Sequence, residues 1–244
     1  MQGTGAVFCV EETMKKRNVF ADLNRFERIL WSVSLLAIVI SFAVSGGKDP
    51  FSAVASMIGV TSLIFNAKGN PVGQLLMVIF SLLYGVISYS FSYYGEMITY
   101  LGMTMPMAVV ALISWLKNPY NGNKSEVKVG TLSLREHLFM WVLTIIVTAI
   151  FYFILKFFHT ANLLFSTLSV TTSFLAVYLT FRRSPLFAVA YAANDIVLII
   201  LWSLASAQDM KYLSVVVCFA AFFVNDLYGH ISWRRMQKRQ ALNL

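Results

Sequence analysis

Two Asn-Asp pairs lie inside stretches of the chain that are otherwise apolar and long enough to be helices within a membrane. The first pair is Asn194-Asp195, and the second is Asn225-Asp226. A carboxylate or an amide is costly to bury in hydrocarbon, and residues of this kind usually handle a polar or charged solute. The two pairs therefore predict a solute site inside a helical bundle.

The residues around the first pair favour such a site. Asn194 and Leu198 share one stripe of the predicted helix, and Asp195 and Trp202 share the adjacent stripe, seven residues apart. A carboxylate and an indole can then face the same cavity. The alternative is that Asn194 and Asp195 only bond to neighbouring helices and hold them together. For Asn225 and Asp226 the two interpretations are equally open.

Other polar residues follow one face of a more N-terminal apolar segment. Gln74, Ser81 and Ser88 recur every seven residues, with Tyr84 one turn after Ser81. Gln74 is the strongest of these candidates, because its side chain has no local backbone partner. In a hydroxyl-rich segment further on, Thr167 and Thr171 are weaker candidates. The predicted substrate-binding residues are Gln74, Tyr84, Ser88, Thr167, Asn194, Asp195, Leu198, Trp202, Asn225 and Asp226.

The composition predicts that these residues belong to an integral membrane protein. Only 12% of the residues are charged, about half the usual share of a globular protein. Segments of membrane-spanning length recur along the whole chain. The predicted fold class is an all-α bundle with these eight transmembrane helices: Ile29–Ser45, Phe51–Ala67, Val72–Ser92, Met97–Trp115, His137–Phe157, Ala161–Phe181, Leu186–Leu204 and Tyr212–Trp233.

The charge pattern predicts how this bundle is oriented. The net charge is +8, and most basic residues fall in the loops that an eight-span chain with an inner N-terminus would place inside. The positive-inside rule then puts both termini in the cytoplasm. The basic residues form no single patch, so we expect no nucleic-acid partner.

Cys9 and Cys218 lie too far apart to predict a disulfide, and we expect neither a metal nor a cofactor.

Short motifs recur at corresponding places and indicate an internal repeat. The run 68–71 (KGNP) is matched by 182–185 (RRSP), and Ile113-Ser114-Trp115 is matched by Ile231-Ser232-Trp233. Matching helices are four spans apart, so the halves would run in the same direction, as in parallel transporter repeats. This predicts a basic arm (1–28), an extra first helix (29–50), a three-helix repeat (51–116), a loop and linker helix (117–160), a second repeat (161–233) and a basic tail (234–244).

Two longer runs carry a resemblance to a known family. The run 183–202, from Arg183-Ser184-Pro185 to Trp202, and the run 225–235, which begins Asn225-Asp226-Leu227-Tyr228-Gly229, resemble the C-terminal half of PnuC-type nicotinamide riboside transporters. The resemblance extends through 66–69 and 94–96. It implies a three-plus-one-plus-three fold like that of the SWEET sugar transporters. It also implies uptake of the riboside across the bacterial inner membrane, followed by trapping through a cytoplasmic riboside kinase.

Several alternatives stay open at this point. The substrate could be a related vitamin, thiamine or riboflavin, and the oligomeric state, including a homo-oligomer, is undetermined. A function of another class is an intramembrane enzyme with Asp195 and Asp226 as an acid/base pair. The chain has no P-loop and, apart from Asp195 and Asp226, no ionisable residues within the spans for a proton relay, so we expect facilitated diffusion. The alternative is a proton-coupled carrier, which needs an aspartate that titrates near neutral pH. We expect Glu96 and His159 to be solvated at the outer boundary, and Pro106 to kink its helix.

Overall fold

The computed structural model describes residues 22–45, 50–90, 94–160 and 162–242. Most of the predicted N-terminal arm, including Cys9, lies outside these residues. Within them are eight helical spans that are long and apolar enough to cross a membrane. This confirms the predicted all-α fold class of eight transmembrane helices. The spans are α1 (Arg25–Val44), α2 (Pro50–Ala67), α3 (Pro71–Ser90), a broken fourth span (Tyr94–Leu116), α6 (Leu134–Phe157), α7 (Leu163–Phe181), α8 (Phe187–Ser206) and α9 (Leu213–Leu242).

The fourth span is interrupted by a wide helical turn. It consists of α4 (Tyr94–Thr99), a π-helical segment (Tyr100–Thr104) and α5 (Met105–Leu116). Pro106 explains the interruption, because it has no N–H to give to the carbonyl of Gly102 one turn earlier. The N–H of Met105 instead bonds to the carbonyl of Tyr100, five residues back. Such bulges are weak points at which a helix can bend.

A short β-hairpin follows the fourth span and was not predicted. Strand β1 (Pro119–Tyr120) pairs antiparallel with β2 (Asn123–Val127). Asn121 and Gly122 between them both have positive φ, at 47° and 75°. An Asn-Gly pair favours this type of two-residue turn, so the signal was present in the sequence. We call the end of the bundle that carries this hairpin the hairpin end, and the opposite end the far end.

The turns of the two proposed repeats have matching hydrogen bonds at the hairpin end. Between α2 and α3, the N–H of Asn70 bonds to the carbonyl of Phe65 at 3.0 Å, and between α7 and α8 the N–H of Ser184 bonds to that of Leu179 at 3.0 Å. Gly69 and Arg183 occupy equivalent positions in these turns, and φ is positive at both. The match supports the repeat hypothesis at the level of the backbone.

Two tryptophans link the halves reciprocally at the same end. The indole of Trp115 donates to the carbonyl of Thr180 at 2.9 Å, and the indole of Trp233 donates to the carbonyl of Asn66 at 2.7 Å. Both rings are fully buried and lie 5.3 Å apart between centroids. The indole N–H of each half thus has its hydrogen-bond acceptor in the turn of the other half. The hairpin end is held together by paired polar groups.

The segment after the hairpin crosses this end of the bundle and contacts both turns. The N–H of Val127 bonds to the carbonyl of Gly69, and the N–H of Gly130 bonds to the carbonyl of Arg183, each at 2.9 Å. The side chain of Gln240, near the end of α9, bonds to the backbone of Val127 and of Val129. The last helix therefore continues into the predicted basic tail and fixes the crossing segment.

Candidate functional site

The centre of the bundle contains a small cavity between the two halves. Its wall is formed by α2, α3, the π-helical segment, α7, α8 and α9, and consists of Leu63, Met77, Phe80, Tyr100, Thr104, Ser173, Tyr191, Asn194, Asp195, Phe219, Phe222 and Asp226. The enclosed volume is about 30 Å³. Sites for vitamin-sized ligands usually measure roughly 300–1,000 Å³. This conformation is therefore closed around the site, and the helices must separate before a solute of that size fits.

The acidic part of the wall consists of Asp195 from α8 and Asp226 from α9. The side chains are 2% and 4% exposed, and their carboxyl groups are within hydrogen-bonding reach of each other. No described residue donates a hydrogen bond to Oδ2 of Asp195. Two carboxylates this close in a low dielectric repel each other unless a proton or a cation lies with them. The pair is therefore suited to bind a positive charge.

Asn194 lies beside this pair and is held in one orientation by α7. Its Oδ1 accepts hydrogen bonds from Thr172 Oγ1 at 2.9 Å and from Ser173 Oγ at 3.0 Å. The amide nitrogen of Asn194 has no acceptor among the described residues. It can therefore donate to an oxygen of a solute in the cavity. The sequence analysis singled out only Thr167 and Thr171 in this hydroxyl-rich segment, and the contact of Thr172 and Ser173 with Asn194 comes only from the tertiary structure.

The other wall of the cavity is aromatic. Phe80, Tyr100 and Phe222 line it, with ring centroids of Phe80 and Tyr100 6.0 Å apart and those of Phe80 and Phe222 5.5 Å apart. Tyr84 lies behind them, 4.5 Å from the Tyr100 ring. Aromatic faces carry negative charge density and attract flat cations. The site thus combines two carboxylates, a free amide donor and an aromatic wall.

Asn225 lies next to Asp226 in sequence but faces another helix. Its Nδ2 donates to Ser34 Oγ of α1 at 2.9 Å and to the carbonyl of Ala221 at 2.8 Å. The residue is 1% exposed and does not line the central cavity. In this conformation Asn225 ties α9 to the extra first helix, and a contact with substrate stays a prediction.

Gln74 is buried at the hairpin end of α3, one turn from the cavity wall. Its Nε2 donates to Asn66 Oδ1 at 2.8 Å, and Asn66 in turn contacts Ser62. Ser62 Oγ donates to the carbonyl of Gly73 at 2.9 Å. The sequence indicated that Gln74 has no backbone partner within its own turn. The structure gives it a side-chain partner on α2, and its role in binding stays a prediction.

The remaining predicted residues lie around the central cavity without lining it. Leu198 is packed in the core one turn beyond Asn194, and Tyr84 and Trp202 lie towards the far end, with their ring centroids 6.4 Å apart. The hydroxyl of Ser88 is buried, and no described residue forms a hydrogen bond with it. Thr167 donates to the carbonyl of Leu163 in its own helix at 2.7 Å. Binding roles for these residues also stay predictions.

Glu96 differs from the sequence expectation. It was expected to be solvated at the outer boundary, but its side chain is only 4% exposed. The first turn of α4 is covered by the α6–α7 connection, which packs against Gly95: a Cβ there would lie 2.7 Å from Leu155 and 2.8 Å from Thr160. The position of Glu96 at the start of a span indicated a residue at the membrane boundary. Its burial depends on a turn that lies more than sixty residues later in the chain.

An eight-helix bundle with a closed, acidic and aromatic cavity at mid-depth is typical of a membrane carrier for a small polar solute. Sequence comparison agrees with this class. Residues 49–235 match the sequence model of the nicotinamide mononucleotide transporter family, and the chain belongs to this family. The family is one of transporters, so the intramembrane-enzyme alternative is not favoured.

Individual relatives cover nearly the whole chain. It is 26% identical over 230 residues to the nicotinamide riboside transporter PnuC of Neisseria mucosa, covering 93% of this chain and 87% of that protein. It is 23% identical over 226 residues to the protein of the same name from Haemophilus influenzae, covering 92% and 96%. The crystal structure of the vitamin B3 transporter PnuC has a similar fold, with a TM-score of 0.80 at 24% identity, covering 98% of this chain and 100% of that one.

Proposed function

We propose that this chain carries nicotinamide riboside across the bacterial inner membrane by facilitated diffusion. The relatives named above are described as nicotinamide riboside transporters. The observation that carries the proposal is the placement of Asp195 and Asp226, two buried carboxyl groups within reach of each other beside an aromatic wall. We infer that the substrate is a cation with a flat ring.

The riboside matches each part of the site. Its pyridinium ring carries a positive charge that relieves the repulsion between Asp195 and Asp226. The ring can stack on Phe80 or Tyr100, and the carboxamide or ribose oxygens can accept a hydrogen bond from Asn194. Since the cavity holds only about 30 Å³ when closed, binding requires the halves to separate. The π-helical segment that carries Tyr100 is the element best suited to bend.

The same cavity disfavours the phosphorylated mononucleotide. Its described lining contains two carboxyl groups and neither Lys nor Arg. A phosphate group adds nearly two negative charges at neutral pH, and there is no basic side chain to compensate them. Riboflavin lacks the fixed positive charge, whereas thiamine has a cationic ring and is the competitor to test. The cavity chemistry therefore favours the riboside over the compound in the family description.

We also propose how the protein is oriented in the membrane and what sets the direction of transport. The hairpin end carries Lys68, Arg182, Arg183 and the basic residues of α9, and from the positive-inside rule we infer that this end and both termini face the cytoplasm. Among the described residues, the lining of the central cavity holds no Lys or Arg, and we assign its two acids, Asp195 and Asp226, to the solute and not to a coupled ion. The direction of transport then comes from the concentration gradient of the riboside, which a cytoplasmic riboside kinase maintains.

A homo-oligomer stays a prediction that light scattering can check.

The test is transport by the purified protein in lipid vesicles. Labelled nicotinamide riboside should equilibrate across the membrane without accumulating above the outside concentration, and it should be recovered unchanged. Nicotinamide mononucleotide should neither move nor compete. Accumulation driven by an imposed pH or sodium gradient would contradict facilitated diffusion. Transport of thiamine at a comparable rate, with no transport of the riboside, would overturn the substrate assignment.

A further inference from the structure

A second cavity lies at the far end of the bundle, separate from the central one. It measures about 50 Å³, and its polar lining consists of Glu96, Thr160, Asn162, Ser166, Trp202 and Gln208. These residues come from the start of α4, the turn between α6 and α7 with the start of α7, and the end of α8 with the turn after it. Both halves of the molecule therefore contribute to this cavity, as they do to the central one.

Glu96 supplies a carboxylate that the other described residues do not use. The residue is 4% exposed, and no described side chain forms an ion pair or a hydrogen bond with it. The hydroxyl of Thr160, in the same lining, is also buried and has no hydrogen-bond partner among the residues that the structure describes. Burying an unpaired acid is costly, and a fold keeps one inside a membrane mainly where a ligand meets it.

Trp202 supplies an aromatic surface to the same cavity. Its side chain is 2% exposed and lines the far-end cavity beside Leu201 and Ala205. A carboxylate and an indole that share one cavity provide the two groups that bind a flat aromatic cation: an opposite charge and a π-face. The central site, with Asp195, Asp226 and its ring wall, uses the same combination.

The two cavities are aligned along α8 and separated by tyrosine rings. Trp202 follows Asp195 by seven residues, which places it about 10 Å further along the helix. Tyr84 contacts both Trp202 and Tyr100, with centroid distances of 6.4 Å and 4.5 Å. Tyr100 lines the central cavity and belongs to the π-helical segment. The ring pair Tyr84–Tyr100 thus stands between the cavities, with Tyr84 on α3 and Tyr100 on the π-helical segment, where the fourth span can bend.

We propose that the far-end cavity is a second binding subsite, in which Glu96 and Trp202 hold the aromatic cation before it passes the tyrosine pair to Asp195 and Asp226. The subsite rests on the proposed function, because it takes the same solute. It selects cationic rings at the far end of the pathway and disfavours anionic ones. Access to the central site then requires movement of the π-helical segment.

The test compares two solutes of the same shape in lipid vesicles. Nicotinamide riboside is a cation, and its reduced dihydropyridine form is neutral. In Glu96→Gln, the initial rate at low concentration should fall at least about tenfold for the cation, as for the loss of one hydrogen bond to a charged group. The rate for the neutral form should not change. Glu96→Asp should restore the rate for the cation, because the charge is retained.

Two further variants keep the test decisive. Glu126→Gln removes an equal charge at the hairpin end and should leave both rates unchanged. Asn162→Asp adds a carboxylate to the far-end cavity at a position with φ of 53°, which Asp tolerates as Asn does. It should raise the low-concentration rate for the cation only. This arm decides the question even if Glu96→Gln does not fold.

The failure of this proposal can be distinguished from failure of the proposed function. If the unmodified protein does not carry the riboside, the function is wrong. If it carries the riboside and both Glu96→Gln and Asn162→Asp leave its rate unchanged, the subsite is overturned. Equal losses for the cationic and the neutral solute in Glu96→Gln would also overturn it, because they would indicate a structural role for Glu96.

Discussion

The two halves of the bundle share backbone geometry at their turns, yet they line the central cavity with different chemistry. The first half contributes mainly apolar and aromatic side chains, namely Leu63, Met77, Phe80, Tyr100 and Thr104. The second half contributes both acids and most hydrogen-bonding groups, namely Ser173, Tyr191, Asn194, Asp195 and Asp226, with Phe219 and Phe222. Two halves with matching turns can thus form an asymmetric site, in which both halves contribute rings and only the second contributes the charged groups.

The two turns also differ in the residues through which their helices pack. Gly73 stands in the first half where Phe187 stands in the second, counting from the matching prolines Pro71 and Pro185. At Gly73 a Cβ would lie 2.3 Å from Asn66 Oδ1, so α2 and α3 approach each other closely. Phe187 instead packs against Trp233, with ring centroids 4.9 Å apart. The first turn depends on a small residue and the second on an aromatic contact.

The largest expected effect comes from removing one acid of the second half. Asp195→Asn or Asp226→Asn should weaken binding of the cationic riboside by about 100-fold, since losing one partner of a buried charge contact costs roughly 2–5 kcal/mol. The empty protein should become more stable, because the repulsion within the pair is removed. Calorimetric titration and thermal unfolding measure the two quantities. Unchanged binding in both variants would place the cation elsewhere.

The next effect tests the close approach in the first half. Gly73→Ala should lower the free energy of unfolding by about 1–3 kcal/mol, because the new methyl group meets the Asn66 side chain and backbone. Gly229→Ala is the matched control. A Cβ there would have its nearest neighbour, Ala188, at 3.6 Å, so the methyl group fits. Equal stability of the two variants in denaturant would show that the close approach at Gly73 does not limit the packing of the first half.

A third comparison separates an amide that faces the solute from one that faces its own half. Asn194→Ala should weaken riboside binding by roughly 1–3 kcal/mol, because a solute oxygen loses its donor in a dry cavity. Gln74→Ala leaves Asn66 Oδ1 without its 2.8 Å hydrogen bond, so we expect a loss of thermal stability larger than any loss of affinity. If Gln74→Ala instead abolishes binding in a stable protein, Gln74 contacts the substrate directly.

The smallest effect concerns the aromatic surface beyond the acids. Trp202→Phe should weaken riboside binding less than Trp202→Ala, with a difference of about 1 kcal/mol, because stacking needs a flat apolar face. Titration of both variants under one condition measures this difference. An equal loss in the two would point to the indole N–H as the group that matters.

The sequence accounted for the number of spans because each span is a local pattern. Lipid requires every backbone group to bond within its own helix, so length and apolar composition are sufficient to identify one. The Asn-Gly hairpin was also local, and its signal was overlooked within a polar linker. Glu96 was placed wrongly, because its position at a helix start says nothing about the α6–α7 connection that covers it.

The sequence by itself determined that this is a membrane bundle with two acids in its interior, and it indicated a cytoplasmic side through the basic loops. Only the tertiary structure decided which polar groups pair with each other and which remain for a solute. Asn225 and Asp226 are neighbours in sequence, yet one bonds to Ser34, 191 residues away, and the other meets Asp195. The reason is helical geometry: successive residues point about 100° apart, and the helix that lies in each direction is set by packing.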